Sequence, residues 1–327
     1  MSITVTAPAR LHMGFLDMNG ELGRRFGGLG LTLSGICTRL AVSKSTPISA
    51  SGPSNQRASI YAQTLFQALG LTGGVHIEVL EAIPEHVGLG SGTQLALAVS
   101  SAIARLYELD MELRVLAGLM QRGIRSGVGL GAFEQGGFIV DGGQGDRTTV
   151  PPVICRTPFP EGWRIMLIFD WAYQGLNGAL EVAAFKRLEP IESTLAMHLC
   201  RVLLMQVLPA LIEEDFNRFS GGITVIQDIV GDYFSGSQGG RYSSPKVAEV
   251  LGWLKAEGVQ GIGQSSWGPT GFALFENAER AEHVVIKARS QWGEPLSFMV
   301  CTGRNKGAEI LIKSAELSSH SLNAYPA

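Results

Sequence analysis

One short stretch, residues 84–97 (PEHVGLGSGTQLAL), limits the folds that this chain can adopt. Residues 75–83 before it alternate apolar and polar side chains like a half-buried strand. After it, Leu95, Val99 and Ala102 recur with the spacing of a buried helix. Glycine, serine and threonine are poor residues for the interior of a helix. The stretch therefore predicts a glycine loop that joins a strand to a helix.

Such a loop is suited to binding an anion. The first turn of a helix has four backbone N–H groups without partners and a partial positive charge, and glycines let a phosphate approach the backbone. The loop lacks the Lys-Ser/Thr pair of a Walker A motif and the GxGxxG of a dinucleotide site. A tight turn with no ligand is the alternative. The predicted phosphate-binding residues are Gly88, Gly90, Ser91, Gly92 and Thr93.

The composition narrows the class of ligand. The 42 glycines are roughly double ordinary usage, and they cluster in a few loops. The formal net charge of −3 argues against a large surface for nucleic acid or for an anionic membrane. We therefore expect the ligand to be a small anion.

The cysteines and the first residues predict a cytoplasmic protein. The four cysteines are far apart in the chain, without the spacing of a zinc site or of a disulfide framework: Cys37, Cys155, Cys200 and Cys301. The N-terminal residues alternate like a strand and lack the charged and apolar regions of a signal peptide. No run approaches about 18 apolar residues, so we expect no membrane span.

Prolines between residues 151 and 162 predict a boundary between two units of mixed helix and strand. We expect an N-terminal domain over residues 1–160 and a C-terminal domain over residues 161–327. The first should contain strands over 3–17 and 36–45.

Helix signals are strongest in the second half. Besides a helix over 112–124 in the first domain, the pattern predicts one over 192–216. Two more should begin after the caps Ser244 and Asn277, the first of which is followed by a proline. A buried strand is predicted over 163–171.

Two further glycine loops are predicted at residues 18–31 and 258–275. APARLHMGFLD, PEHVGLGSGTQLALA and GIGQSSWGPTGFAL resemble, in order and spacing, the three signatures of the GHMP superfamily, which includes the galacto-, homoserine, mevalonate and phosphomevalonate kinases. The resemblance implies an α+β, GHMP kinase-like two-domain fold. An N-terminal βαβ-type domain would carry the glycine-rich phosphate loop, a ferredoxin-like domain would follow, and the active site would lie between them.

Longer segments carry a tighter resemblance. PARLHMGFLDMNGELGRRFGGLGL, GAFEQGGFIVDGG, GDYFSGSQGGRYSSP and GQSSWGPTG look like the β-ribofuranosylaminobenzene 5′-phosphate synthases of tetrahydromethanopterin biosynthesis. The resemblance implies condensation of phosphoribosyl pyrophosphate with 4-aminobenzoate, with release of pyrophosphate and CO2. Magnesium is then expected, because it neutralises a pyrophosphate leaving group. Family likeness also suggests a homodimer.

An ATP-dependent small-molecule kinase of the wider superfamily is the main alternative. Mevalonate-type members use an aspartate in a Ser-Gly-x-Asp stretch as catalytic base. The comparable stretch here, RSGVGLGAFEQGG, has Gly129 at that place, and glycine cannot accept a proton, so a kinase would need another base such as Glu134. A non-catalytic sensor of a phosphorylated metabolite is a third hypothesis, because a fold does not guarantee an activity.

The resemblance suggests catalytic roles for charged residues near the glycine loops. Asp17 is expected to stabilise the sugar cation or to bind magnesium, and a turn residue bonded to its own backbone is the alternative. Arg24 and Arg25 are candidates for binding phosphate or carboxylate through two hydrogen bonds, with ordinary surface charge as the alternative. Glu134 is a further catalytic and metal-binding candidate, and Gln135 is a candidate contact to magnesium or to the amine.

Polar residues of the first and third signatures are expected to bind the substrates. Arg10 and His12 are two residues apart on a strand and should face the same side. His12 is either a phosphate or carboxylate donor or an ordinary structural histidine. Trp267 is expected either to stack on the aromatic acceptor or to pack in the core. The remaining candidates are Gln238, Gln264, Ser265 and Ser266.

Overall fold

The structure, a computed structural model, describes residues 1–175, 183–185 and 187–313. Its first unit is built on an eight-stranded sheet with the order β12-β1-β2-β4-β3, in which β5 and β6 also pair with β2, and β7 pairs with β5. These pairs are antiparallel except β3 with β4. The strands are β1 (Ser2–Asp17), β2 (Arg24–Ser45), β3 (Ser49–Ser51), β4 (Gly74–Glu81), β5 (Phe138–Asp141), β6 (Gln144–Gly145), β7 (Val153–Thr157) and β12 (Glu309–Lys313).

Helices cover this sheet and share a core with it. They are α1 (Asn55–Leu69), α2 (Ser91–Leu106), α3 (Leu113–Leu119) and α4 (Val128–Glu134). The alternation predicted before the first glycine loop is confirmed, since Val75, Ile77 and Val79 are buried in this core. Helix α3 is shorter than the sequence predicts because the chain turns at Gln121 and Gly123, which both have positive φ.

A helical segment follows the first unit. It consists of α5 (Ser193–Val202), a π-helical turn (Leu203–Val207), α6 (Leu208–Ile212) and α7 (Phe216–Gln238). The single helix predicted over 192–216 is therefore interrupted and ends earlier. By length and composition alone Ser193–Ile212 could cross a membrane, but this is weak evidence because a core helix passes the same test and part of this one is buried.

The second unit is a four-stranded antiparallel sheet with the order β11-β8-β10-β9. Its strands are β8 (Arg164–Asp170), β9 (Gly263–Gln264), β10 (Gly271–Phe275) and β11 (Leu296–Cys301), and it packs against α8 (Pro245–Ala256) and α9 (Ala278–Gln291). Both predicted caps are confirmed. Ser244 Oγ accepts a hydrogen bond from the Val247 N–H at 3.1 Å, and Asn277 Oδ1 accepts one from the Arg280 N–H at 2.9 Å.

The two units share one core, which places their loops side by side. Leu11 and Phe138 of the first sheet lie in the same buried cluster as Leu167 and Phe272 of the second, together with side chains of α7. The last described strand, β12, returns to the first sheet and pairs with β1. Residues 309–313 therefore complete the first sheet, although the sequence assigns them to the second domain.

The glycine loop predicted over residues 18–31 is a strand for most of its length, because β2 begins at Arg24. The glycines serve close packing instead. A Cβ on Gly30 would lie 2.3 Å from the Leu11 carbonyl oxygen, and one on Gly28 would lie 2.6 Å from Asp141 Oδ2. Only glycine fits at these positions, although it is a poor residue for a strand.

Candidate active site

The glycine loop before α2 folds as predicted. Gly88 and Gly90 have φ of +89° and +87°, in the left-handed region that favours glycine. Arg10 holds the loop, since its N–H donates to the Leu89 carbonyl at 3.1 Å and its Nη1 donates to the Gly88 carbonyl at 2.5 Å. No side chain at the Gly90 cap accepts from the first N–H groups of α2. The start of α2 thus meets the condition for binding an anion.

The third glycine signature ties this loop to β1. Ser265 Oγ donates to the Gly88 carbonyl at 2.8 Å and accepts from the His12 N–H at 3.0 Å. The Ser266 N–H donates to the His12 carbonyl at 3.1 Å. The structure therefore brings together residues from all three signatures.

His12 is buried, with 4% of its surface exposed. Burial, and then the charges of Arg10 and Arg125, lower the pKa of His12 to about 3, so the imidazole is neutral at physiological pH. Its Nε2 is buried and has no hydrogen-bond partner in the described part of the chain. The ring lies 4.6 Å from that of Phe15. In a neutral imidazole each ring nitrogen can either donate or accept one hydrogen bond, so Nε2 can form one with a bound molecule.

A small pocket, partly open to solvent, lies beside His12. It brings together five residues that the sequence predicts to bind substrate: His12, Gln238, Gln264, Ser266 and Trp267. The pocket is also lined by Phe15 and Phe234, so it combines aromatic walls with a few polar groups. This combination is typical of a small-molecule site.

Amide groups fix the polar side of the pocket. Gln264 Oε1 accepts from the Ser243 N–H at 2.6 Å and from Ser243 Oγ at 3.0 Å. Its Nε2 donates to Gln238 Oε1 at 3.2 Å and to the Ser266 carbonyl at 3.0 Å. Because Gln264 bonds on both sides to protein groups, it shapes the pocket by holding its neighbours in place.

Trp267 belongs to an aromatic cluster and is only 3% exposed. Its ring stacks on Phe185 at a centroid distance of 4.8 Å and meets Phe234 edge to face at 4.9 Å. The Arg125 guanidinium lies 4.3 Å from the centroid of the Phe185 ring. Most of the Trp267 surface is thus packed in the core, as one of the two alternatives predicts. The residue also lines the pocket.

Asp141 and Ser126 were not predicted. Asp141 is fully buried at the end of β5, and its Oδ2 accepts from Ser126 Oγ and from the Gly127 N–H, both at 2.8 Å. Oδ1 accepts from the Gly143 N–H at 2.8 Å, and the Gly28 backbone bonds to the same carboxyl. Burial raises the pKa of Asp141, and these hydrogen bonds oppose that rise. The carboxylate therefore holds the start of α4 in place.

Asp17 lies at the end of β1. Its Oδ1 accepts from the backbone N–H groups of Asn19 at 2.8 Å and Gly20 at 3.0 Å, as in the turn alternative. Burial, and then the charge of Asp17, raise the pKa of Cys200 on α5. Asp17 is therefore close to α5, and its catalytic role stays a prediction.

Arg24 and Arg25 diverge from one another. Arg24 donates from Nε to the Gly142 carbonyl and from Nη2 to the Gly143 carbonyl, both at 2.6 Å. The Arg25 guanidinium lies 5.8 Å from the centroid of the Phe26 ring, at the edge of the aromatic cluster. Arg24 thus holds the backbone after β5, whereas Arg25 is the closer of the two to the aromatic groups.

Glu134 and Asp17 do not form a shared magnesium site. Glu134 is exposed at the end of α4, where Gln135 Nε2 donates to its Oε2 at 3.2 Å. Asp17 is opposite Phe26 of β2, whereas the segment after Glu134 joins β2 at Thr32, roughly 20 Å further along the strand. Among residues 1–175, 183–185 and 187–313, no group of three or more His, Cys, Asp or Glu is placed to hold a metal.

Both halves of the chain match known domains. Residues 56–137 match the GHMP kinases N terminal domain, and residues 207–294 match the GHMP kinases C terminal domain. A putative homoserine kinase from Listeria monocytogenes has a similar structure, with a TM-score of 0.64 at 15% identity, over 95% of this chain and 100% of that one. At this identity the likeness shows the fold alone.

Two archaeal relatives match almost from end to end, and both are named β-ribofuranosylphenol 5′-phosphate synthase. The protein from Archaeoglobus fulgidus is 32% identical over 94% of this chain and 99% of its own length. The protein from Methanothermobacter thermautotrophicus is 30% identical over 94% of this chain and 98% of its own. The chain therefore belongs to the β-ribofuranosylphenol 5′-phosphate synthase family, built on the GHMP kinase fold.

Proposed function

We propose that the protein joins phosphoribosyl pyrophosphate to a para-substituted benzoate, forming a C-riboside 5′-phosphate. The bond between ribose C1 and pyrophosphate breaks, and its electron pair leaves with pyrophosphate. The ring carbon that bears the carboxylate forms a bond to ribose C1. The bond to the carboxylate then breaks, its electron pair restores the aromatic ring, and CO2 leaves.

The position of His12 is the observation that best supports this proposal. Its backbone N–H is linked through Ser265 to Gly88 of the phosphate loop, and its ring lines the aromatic pocket. A polyanionic sugar and an aromatic acid need two such subsites side by side. Arg10 would bind phosphate at the loop, while the pocket would hold the ring of the acceptor.

The acceptor has two candidates. The resemblance of the sequence implies 4-aminobenzoate, whereas the names of the two archaeal relatives specify a phenol and so point to 4-hydroxybenzoate. Both carry an electron-donating group opposite the carboxylate, which the attack by the ring carbon requires. We infer 4-hydroxybenzoate as the first acceptor to test, with 4-aminobenzoate as its competitor.

The kinase alternative is disfavoured at Gly129. A Cβ at this position would lie 3.0 Å from the Thr93 methyl group, a tight contact that needs a small shift of that side chain. An aspartate at the place that the kinases use for their base would therefore need Thr93 to move. The close packing of Gly129 supports the loss of the kinase base.

Magnesium, a cytoplasmic location and a homodimer stay part of the proposal. Magnesium would supply charge neutralisation of the pyrophosphate oxygens. Asp17 and Glu134 lie far apart on the first sheet. The proposed reaction therefore does not use a metal site formed by both residues. Light scattering on the purified chain tests the dimer.

The proposed reaction is tested with purified protein, phosphoribosyl pyrophosphate, magnesium and either acceptor labelled in the carboxyl group. We expect labelled CO2 and the aryl riboside to form in equal amounts. ATP consumption with an alcohol, and no CO2 release, would favour the kinase. Binding of phosphoribosyl pyrophosphate without any turnover would favour the sensor.

Arg10→Gln and Arg218→Gln form a matched pair for this assay. Arg10 bonds the phosphate loop, whereas the Arg218 side chain is 76% exposed at the start of α7. We expect Arg10→Gln to lower kcat/KM for the sugar donor by roughly 100-fold, in the range of lost charge-assisted contacts to a reacting anion. Arg218→Gln should leave it unchanged.

A further inference from the structure

Two arginines that the sequence does not single out lie over the first turn of α2. Arg57 is on α1, and Arg122 follows α3. A Cβ on Gly92 would lie 2.7 Å from Arg57 Nη2 and 3.6 Å from Arg122 Nη1. The glycine at this position therefore leaves room for two guanidinium groups beside the phosphate loop.

Two guanidinium groups at the start of a helix add to the positive charge that is already there. Cations are stabilised at the C-terminal end of a helix and repelled at its N-terminal end, where the backbone carries partial positive charge. The carboxylate described beside the pair is Glu85, whose Oε1 lies 2.8 Å from Arg57 Nη1 and also accepts from Ser54 Oγ at 2.6 Å. One carboxylate offsets one of the two guanidinium charges, so an added anion would stabilise the cluster.

Arg122 is held in place without an acidic partner in the described structure. Its Nη2 donates to the Tyr61 hydroxyl at 2.5 Å, and its guanidinium lies 5.3 Å from the centroid of the Tyr61 ring. Its Nε is buried and has no hydrogen-bond partner among residues that the structure describes. A positioned guanidinium with an unused buried N–H is suited to an anion that brings its own acceptors.

We infer that Arg57 and Arg122 form a subsite for the pyrophosphate group of the donor, next to the first turn of α2. The inference rests on the proposed function. Arg10 approaches the same loop at Gly90, where a Cβ would lie 3.3 Å from its guanidinium carbon. Pyrophosphate then spans the loop, with its outer phosphate at Arg57 and Arg122. The ribose C1 end points toward Arg10 and the pocket beside His12.

The subsite is tested by calorimetric titration of inorganic pyrophosphate into the full-length chain, with inorganic phosphate as a second probe. The variants are Arg57→Gln and Arg122→Gln, and the control is Arg218→Gln. We expect wild type to bind pyrophosphate more tightly than phosphate. Each of the two variants should weaken pyrophosphate at least tenfold, while the control should match wild type.

Two results would overturn the inference: no binding of pyrophosphate to wild type, or equal affinity in wild type and both variants. Thermal melting checks that each variant is folded. If Arg122→Gln is unfolded, Arg122→Lys keeps one charge and should weaken pyrophosphate less than Arg57→Gln does. Because binding is measured without an acceptor, a protein that binds pyrophosphate through these arginines but forms no riboside would sink the proposed reaction and leave the subsite standing.

Discussion

Gly88 and Gly268, from the second and third glycine signatures, pack backbone against backbone. A Cβ on Gly268 would lie 2.4 Å from both the Cα and the N of Gly88, and a Cβ on Gly88 would lie 2.4 Å from the Ser265 carbonyl oxygen. Neither neighbour is the end of a flexible side chain. The phosphate loop and the loop that holds Trp267 can therefore meet only if both positions lack a side chain.

Gly268→Ala should separate these two loops. We expect it to lower the free energy of unfolding by roughly 3 kcal/mol, because backbone rather than a side chain must move. The control Gly252→Ala lies within α8, where an added Cβ meets nothing within 4 Å, and should stabilise the protein by up to about 1 kcal/mol. Urea unfolding measures both, and equal effects would contradict the packing described.

His12 should make stability depend on pH. Its folded pKa of about 3 lies below the ordinary 6.5, so between these values the unfolded chain binds a proton that the folded chain does not. The contribution of His12 to the free energy of unfolding is complete above pH 6.5. It is lost as the pH falls toward 3, at up to about 1.4 kcal/mol per pH unit.

The readout is the slope of unfolding free energy against pH between 5 and 7, in wild type and in His12→Gln. Glutamine does not titrate, so the slope for His12→Gln should be shallower than the slope for wild type by up to about 1 kcal/mol per pH unit. The remaining histidines are common to both proteins and cancel in the comparison. Parallel slopes would show that His12 titrates in the folded protein with the same pKa as in the unfolded chain.

Asp141 should stabilise the fold by holding the start of α4 in place. Asp141→Asn keeps the shape but turns an acceptor oxygen into a donor that faces Ser126 Oγ and backbone N–H groups. We expect a loss of roughly 3 kcal/mol in stability. Ser126→Ala removes one bond and should cost about 1 kcal/mol. If Asp141→Asn is as stable as wild type, the carboxyl is already protonated in the folded protein.

The features that the sequence predicted well are those with local causes. The phosphate loop follows from glycines between a strand and a helix, and the caps Ser244 and Asn277 follow from one residue before each helix. The loop predicted over residues 18–31 was wrong from Arg24 onward, where β2 begins, because glycine in a strand looks like glycine in a loop. What requires glycine in this strand is the close approach of Leu11 and Asp141, which are distant in sequence from the glycines they contact.

The missed residues depend on tertiary contacts. Arg57, Arg122 and Asp141 come from different elements, and strand register and helix packing bring them to the site. Asp141 stood inside a segment that carried the family resemblance, and a buried aspartate followed by two glycines was the available signal. For the two arginines, one sequence offers no pattern that separates them from surface charge.

The role of Asp17 can be separated from its place in a turn. Asp17→Asn keeps the Oδ1 that accepts from Asn19 and Gly20, and it removes the charge. We expect the melting temperature to stay within about 2 °C and kcat to fall by roughly 100-fold, because only the charge can stabilise a sugar cation. Asp110→Asn, at an exposed position after α2, is the control and should change neither.

The thiol of Cys200 reports on the same substitution. Burial and then the Asp17 charge raise the pKa of Cys200, so Asp17→Asn should lower that pKa toward its ordinary value. The rate of reaction with a thiol reagent against pH measures it, with Cys200→Ser to identify the signal. A lowered pKa with full activity would make Asp17 a turn residue, whereas a lowered pKa with lost activity would place its charge in the reaction.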